Sequence, residues 1–269
     1  MMHESTTKVI STSINQNERV SDDIFYMKLK LMDDYPPSVP GQFVNVYLND
    51  QTRLLPRPIS IFDQTEGELH LVYAVTGEGT QELSEYPADT SIDISTPLGK
   101  GYTLPGSGEK LLIIGGGIGL APLHYLAKKT YTDNEDTSGA SKIYSILGFK
   151  DRPFLNEYFE KYCDEVSICT ENPHDGFIHG NVMAVLPEEK YLSIKNWYTC
   201  GPYNMQKAIS EYAKDHDIKD LQVSLEERMG CGFGTCVGCS IKTKDREQII
   251  HRKVCKDGPV FTGSEVLWQ

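Results

Sequence analysis

Four cysteines in the last part of the sequence carry the strongest chemical signal. Cys231, Cys236 and Cys239 follow a C-x4-C-x2-C spacing, and Cys255 comes after fifteen further residues. Two irons bridged by sulfide need four thiolates, and one short loop can bring three of them together. This is the plant-type spacing of a [2Fe–2S] cluster. Gly230, Gly232, Gly234 and Gly238 interleave the ligands; they permit tight turns and let backbone N–H groups approach the sulfides. Structural zinc also takes four cysteines, but it usually sits between short C-x2-C knuckles, which the four-residue gap fits less well. Seven cysteines with four bunched together do not form a disulfide framework. Cys163, Cys169 and Cys200 lie among apolar residues, where a free cysteine is a small buried hydrophobe.

Two further patterns point to phosphate-bearing cofactors. In Arg57-Pro58-Ile59-Ser60 the guanidinium suits bidentate phosphate contact, and the hydroxyl can reach a ring nitrogen such as flavin N5, where hydride arrives. Gly77-Glu78-Gly79-Thr80 adds a glycine turn with a hydroxyl, a second candidate for holding pyrophosphate by backbone N–H. Taken alone, the tetrapeptide is equally an ordinary strand end. Gly115, Gly116, Gly117 and Gly119 follow the apolar run Leu111–Ile114 and lead into a helix expected to open at Pro122. Such a turn presents helix-end N–H groups to a dinucleotide diphosphate. The spacing is not G-x-G-x-x-G, and no acidic residue closes the next strand to hold a ribose. A turn serving only strand–helix packing is the alternative. Cys200-Gly201-Pro202 ends a later strand, where a buried cysteine before a helix N-terminus is one reading.

These groups need elements to position them. Residues 1–104 read as strands with almost no helix: Phe25, Met27, Leu29 and Leu31 alternate, as do Leu69, Leu71, Tyr73 and Val75. Phe43–Leu48 and Ile92–Ile94 are further strands, with Arg57-Pro58-Ile59-Ser60 following a strand. Proline- and glycine-rich turns separate these runs, which suggests an antiparallel β-barrel. After Pro105, residues 105–225 alternate strand and helix, with strands at 142–149, 165–170 and 196–200 and helices at 154–162 and 203–216. A polar loop spans 133–139. That alternation implies an α/β domain built on a parallel sheet. Residues 226–269 form a small module organised by its cysteine ligands.

Composition limits the alternatives. A chain of 269 residues has room for two or more domains. A net charge of −12 argues against nucleic acid, which is bound through clustered Lys and Arg. The longest apolar stretch, Leu111–Leu123, holds four glycines and is shorter than the roughly 20 residues a spanning helix needs. The first residues lack a signal-peptide pattern. The expectation is a cytoplasmic protein without membrane insertion.

Barrel, α/β domain and cysteine module, in that order, resemble the ferredoxin–NADP reductase superfamily. The resemblance implies FAD around Arg57, Pro58, Ile59, Ser60, Val72, Tyr73, Ala74, Gly79 and Thr80, and NAD(H) at Gly115, Gly116, Gly117 and Gly119. Cys200-Gly201-Pro202 resembles a turn that, in this superfamily, lies near the nicotinamide; the buried cysteine before a helix is the alternative. Ile59 stands where relatives often carry an aromatic, and Ala74 where they often carry a basic residue, so Arg57 and backbone amides must hold more of the pyrophosphate. The run Ser224–Cys239, with Cys255–Phe261 after it, is similar to the electron-transfer subunits of type B, NAD-dependent dihydroorotate dehydrogenases. That family implies one FAD and one [2Fe–2S] cluster held by Cys231, Cys236, Cys239 and Cys255. It also implies an FMN-containing catalytic subunit that makes orotate for pyrimidine biosynthesis, in a heterotetramer with two copies of each chain. No residue of this chain is then expected to act on the organic substrate. The physical logic agrees: NADH gives two electrons together, a cluster takes one at a time, and a flavin can do both. The alternatives are a reductase subunit of a transhydrogenase or monooxygenase, and a zinc-stabilised binding module.

Overall fold

The computed structural model describes residues 7–50, 52–135 and 141–268. Six antiparallel strands open the chain: β1 (Val9–Arg19), β2 (Ile24–Lys30), β3 (Phe43–Tyr47), β4 (Arg57–Thr65), β5 (Glu68–Ala74) and β6 (Ser91–Ser95). They close into a barrel in the order β1-β2-β5-β4-β3-β6. The alternation seen in the sequence is the inward face: Met27, Leu29, Leu69, Leu71 and Ile94 are wholly buried together with Ile14 and Val44. Arg57 opens β4 rather than following a strand, and residues 52–56 before it lie outside any strand. Proline is tolerated at a strand's start, where the ladder asks little of its missing N–H.

Helix α1 (Glu78–Ser84) replaces the glycine turn expected at 77–80. Gly77 is its N-cap, and the Thr80 hydroxyl accepts from the N–H groups of Thr76 and Gly77 at 2.9 and 3.3 Å. A hydroxyl three residues past the cap closes a capping box, a helix signal that glycine-turn reasoning passed over. Arg53 ties the helix to the preceding turn through Glu82 at 2.8 Å and Glu78 at 2.9 Å.

The second unit is a seven-stranded sheet. Its parallel strands are β7 (Leu111–Gly116), β8 (Ile143–Phe149), β9 (Glu165–Thr170), β10 (Ile178–His179), β11 (Asn196–Cys200) and β12 (Asp220–Ser224). Leu111 and Ile113 point to one layer, Leu112 and Ile114 to the other, as a sheet covered on both faces requires. Helices α2 (Leu120–Glu135), α3 (Glu157–Glu160), α4 (Glu189–Leu192) and α5 (Tyr203–Asp215) connect the strands. α2 begins before Pro122, directly after a 3₁₀ turn at Gly117–Gly119. Proline in a first turn costs no hydrogen bond, because those N–H groups have no intrahelical partner. The polar loop expected at 133–139 starts later, since α2 runs to Glu135; residues 136–140 lie outside the described residues. The helix expected over 154–162 shrinks to α3, because Leu155 adopts φ of +55° and breaks the run.

The tail folds as a hairpin, β13 (Ser240–Asp245) with β14 (Gln248–Lys253), then α6 (Val254–Asp257) and β15 (Val260–Thr262). β15 joins the sheet antiparallel to β12, so the cysteine module shares the core of the α/β unit. Barrel and sheet also share a core. Phe62 of β4 stacks on His124 of α2 with ring centroids 4.1 Å apart. His124 Nδ1 donates to the Phe62 carbonyl at 3.0 Å, and Tyr125 donates to the Ser38 carbonyl at 3.0 Å. Burial holds the His124 pKa down to about 4, so this seam is packed around a neutral imidazole. Among the described residues no helix is long and apolar enough to cross a membrane.

Candidate functional site

Strand order in the sheet reverses beside β7. The chain runs from β7 to β8, β9 and β10 on one side, and returns as β11 and β12 on the other. Ligands of open α/β sheets bind at such a switch point, outside the carboxyl ends of the strands. The glycine turn after β7 and the Gly201-Pro202 turn after β11 meet there. They line a cleft of about 600 Å³ with Ile118, Gln206, Leu225, Glu226 and Glu227.

The four glycines do different work. A Cβ at Gly119 would sit 2.5 Å from the Cys200 carbonyl, and one at Gly116 would sit 2.5 Å from Met205 Sδ. At Gly115 it would press on Leu123 and Leu147 at 3.2 Å. These three let the turn lie close to its neighbours. Gly117 has φ of +52° and nothing within 4 Å of its would-be Cβ, because it faces the cleft. Gly117→Val puts a β-branched residue at a left-handed φ, so the turn itself must shift although no core atom is met. It is expected to raise the Michaelis constant for NADH about tenfold or more, at about 1.4 kcal/mol per decade. FAD and iron content should stay unchanged. Steady-state kinetics over a range of NADH checks this, and an unchanged constant places the dinucleotide elsewhere.

A second cavity of about 310 Å³ opens between barrel and sheet. It gathers Arg57, Pro58, Ile59 and Ser60 from β4, Val72, Tyr73 and Ala74 from β5, and Thr80 from α1. The Arg57 guanidinium is held by the Leu55 carbonyl at 2.6 Å and lies flat over Gly79, where a Cβ would come within 2.1 Å of it. Thr80 is present, but its hydroxyl is engaged with the Thr76 and Gly77 amides. The Tyr73 ring stacks on Phe25 in the barrel, and its hydroxyl donates to Asn17 at 2.9 Å. A shape that joins a guanidinium and first-turn amides to an apolar slot fits a flavin dinucleotide.

Sequence reasoning missed the far wall: Phe43, Ile118, Ala121, Ser224, Leu225, Glu226, Met229 and Pro259. Its one local signal is the end of β12 at Ser224, where the chain stops being strand and crosses the cavity mouth. Ile118, Leu225, Glu226 and Glu227 wall both cavities at once. Glu226 opens onto them while protein crowds its other sides, and that desolvation raises its carboxyl above the usual range. Cys200 lies behind, wholly buried; burial pushes its thiol up, and the Glu226 charge adds to this.

The cysteine loop comes next. The thiols interact as one connected set: Cys231 with Cys236, and Cys255 with both Cys239 and Cys231. Burial pushes the Cys231 thiol up, but the amides of Cys236, Phe233 and Thr235 converge on it and bring it down to about 6. The Cys236 N–H lies 3.4 Å from Cys231 Sγ. Burial and the Cys239 thiol push Cys255 up to about 12. Among the described residues no three His, Cys, Asp or Glu side chains gather at one point as a single ion requires. Four interacting thiols, three on a C-x4-C-x2-C loop and one on the short helix α6, suit a [2Fe–2S] cluster. Cys163 and Cys169 lie elsewhere, with thiols pushed up by burial to about 12 and about 11; such thiols are inert.

Comparison with known proteins agrees with this arrangement. Residues 226–267 match the family described as the iron-sulfur cluster binding domain of dihydroorotate dehydrogenase B. The chain is 38% identical over 252 residues to the electron transfer subunit of dihydroorotate dehydrogenase B (NAD(+)) from Caldanaerobacter subterraneus subsp. tengcongensis, covering 94% of this chain and 96% of that one. The same subunit from Desulforamulus reducens is 34% identical, covering 98% and 100%. Among solved structures, an NADH-dependent reduced ferredoxin–NADP oxidoreductase studied for flavin-based electron bifurcation superposes with a TM-score of 0.80. It is 25% identical, covering 96% of this chain and 90% of that one. A flavohemoglobin from Malassezia yamatoensis, 19% identical with a TM-score of 0.67 over 79% of this chain and 58% of that one, shares the fold. With relatives this similar along nearly its whole length, the chain belongs to the family of electron transfer subunits of NAD(+)-dependent dihydroorotate dehydrogenase B.

Proposed function

We propose that this chain passes electrons between NAD(H) and a dihydroorotate dehydrogenase catalytic subunit, through FAD in the 310 Å³ cavity and a [2Fe–2S] cluster on the cysteine loop. One observation carries the reading: the cleft behind the glycine turn and the cavity beside Arg57 share Ile118, Leu225, Glu226 and Glu227 as common walls. A hydride donor and its acceptor need that adjacency. FAD, when bound, accepts the two electrons of NADH together and releases them singly.

The chain's own residues bind, orient and shield. Arg57, pre-set by Leu55 and Gly79, takes the FAD pyrophosphate, and Ser60 faces the edge of the ring system. Gly117 would admit the NADH diphosphate, while Ile118 and Leu225, which line both cavities, would keep water from the space they share. The Glu226 carboxyl faces that space, where desolvation raises it above the usual carboxylate range. Cys231, Cys236, Cys239 and Cys255 ligate the cluster. The catalytic partner carries FMN and binds two copies of this chain in a heterotetramer, in the cytoplasm.

The isolated chain should reduce artificial acceptors with NADH and leave dihydroorotate and orotate untouched. Adding the catalytic subunit should restore NAD-linked turnover, and gel filtration of the mixture should give the mass of two copies of each. Turnover of dihydroorotate by the isolated chain would end this reading. So would co-purification from the native cell of a monooxygenase or transhydrogenase partner alone.

A further inference from the structure

The cavity beside Arg57 and the cysteine loop come from distant parts of the chain, yet one side chain joins them. Asn45 lies in β3, in register with Pro58 of β4. It is wholly buried, and its backbone N–H donates to the Ser95 hydroxyl at 2.9 Å. Its Nδ2 donates to the carbonyl oxygen of Cys231 at 3.0 Å, across 186 residues of sequence. Gly232 follows with φ of +76°, and a Cβ there would stand 2.4 Å from Asn45 Nδ2 and 2.5 Å from Oδ1. The loop backbone thus lies directly on the amide, with no space for a side chain between them.

Asn45 Oδ1 is buried and has no hydrogen-bond partner among the described residues. An unpaired buried amide oxygen is costly, and an apolar residue of the same size would avoid that cost. The side chain has one hydrogen bond to set against it, and that bond goes to the cysteine loop. Resting on the flavin and cluster assignments above, we propose that Asn45 is the positioning residue that sets the gap between flavin and cluster. It pins the loop bearing Cys231 and Cys236 to the barrel wall bearing Arg57 and Ser60.

Electron passage slows steeply as donor and acceptor move apart, so a small outward movement of the loop is enough to be felt. The rest of the module stays attached without this contact. The Lys100 N–H donates to the Gly258 carbonyl at 2.6 Å, and β15 remains paired with β12. Loss of Asn45 therefore changes spacing rather than folding.

The test uses the full chain loaded with FAD and cluster, as wild type, Asn45→Ala and Asn45→Asp. Aspartate keeps the size but has no N–H to give, and its carboxylate repels the Cys231 carbonyl. In both variants FAD and iron content, and flavin reduction by NADH in stopped flow, should match wild type. The dipolar coupling between the flavin and cluster EPR signals should weaken. Electron passage from flavin to cluster should slow roughly tenfold or more, as for other small misplacements of reacting groups. Wild-type coupling and rate in both variants would overturn the proposal. Loss of iron from both would also overturn it, by making Asn45 part of cluster assembly. A wild-type chain lacking FAD or iron would instead overturn the assignments beneath it.

Discussion

A Cys236→Ser chain is expected to purify without its cluster, with iron and acid-labile sulfide falling from about two atoms each per chain to near zero. Cys236 interacts with Cys231, and its own N–H points at Cys231 Sγ. Gly230 and Gly238 crowd around its sulfur, where a Cβ would come within 3.6 and 3.7 Å of Sγ. A serine hydroxyl stays protonated where a thiolate is needed, and no other thiol stands in its place. Cys169 provides the control: it is a fully buried residue of β9, its thiol is pushed up by burial, and Cys169→Ser should keep the cluster. The Cys236→Ser chain should still reduce artificial acceptors through its flavin, but NAD-linked turnover with the catalytic subunit should disappear. Iron and sulfide assays beside the visible spectrum decide the matter. A full iron complement in Cys236→Ser would remove this residue from the ligand set, and one zinc per chain in the wild type would replace the cluster altogether.

Arg57→Ala should weaken FAD binding roughly ten- to a hundredfold, from the 1.5–3 kcal/mol that a hydrogen bond to a charged group contributes. The side chain is already fixed by the Leu55 carbonyl and by Gly79, so little entropy is lost when it meets a phosphate. Arg57→Lys should fall between, since an ammonium keeps the charge but loses the bidentate fork. Gly79→Ala offers a second route to the same loss. Its new Cβ would stand 2.1 Å from the guanidinium and push it out of line without touching its charge. Ser60→Ala should keep the flavin and slow its reduction by NADH. Fluorescence titration of the apoprotein with FAD measures each variant. Wild-type affinity in Arg57→Ala would withdraw the assignment.

Local spacing carried much of this protein's chemistry. Three of the four proposed cluster ligands fall within nine consecutive residues, so their spacing is a property of one loop and can be read from its glycines and gaps. Strand periodicity did the same for β2 and β5, because a buried face repeats every second residue whatever lies opposite. Local signals also misled at α1, where Gly77 and Gly79 read as a turn although Thr80 closes a capping box. They misled again at Leu155, whose positive φ cuts short a helix that apolar spacing favoured.

What the tertiary structure decided is everything that depends on two distant segments meeting. Gly115, Gly116, Gly117 and Gly119 look alike in sequence. Only the approach of Cys200, Met205 and Leu147 makes three of them packing residues and leaves Gly117 facing the cleft. The wall from Ser224 to Met229 has no periodicity to mark it, because its place comes from where β12 ends against the barrel. Asn45 is an unremarkable strand residue until Cys231 arrives from 186 positions away. The sequence by itself thus determined the cofactor-holding loops, whose geometry is set within a few bonds. Their separation, their shared walls and the contact between barrel and cluster loop were decided by the fold, because burial and hydrogen bonding across distant strands leave no pattern in the order of residues.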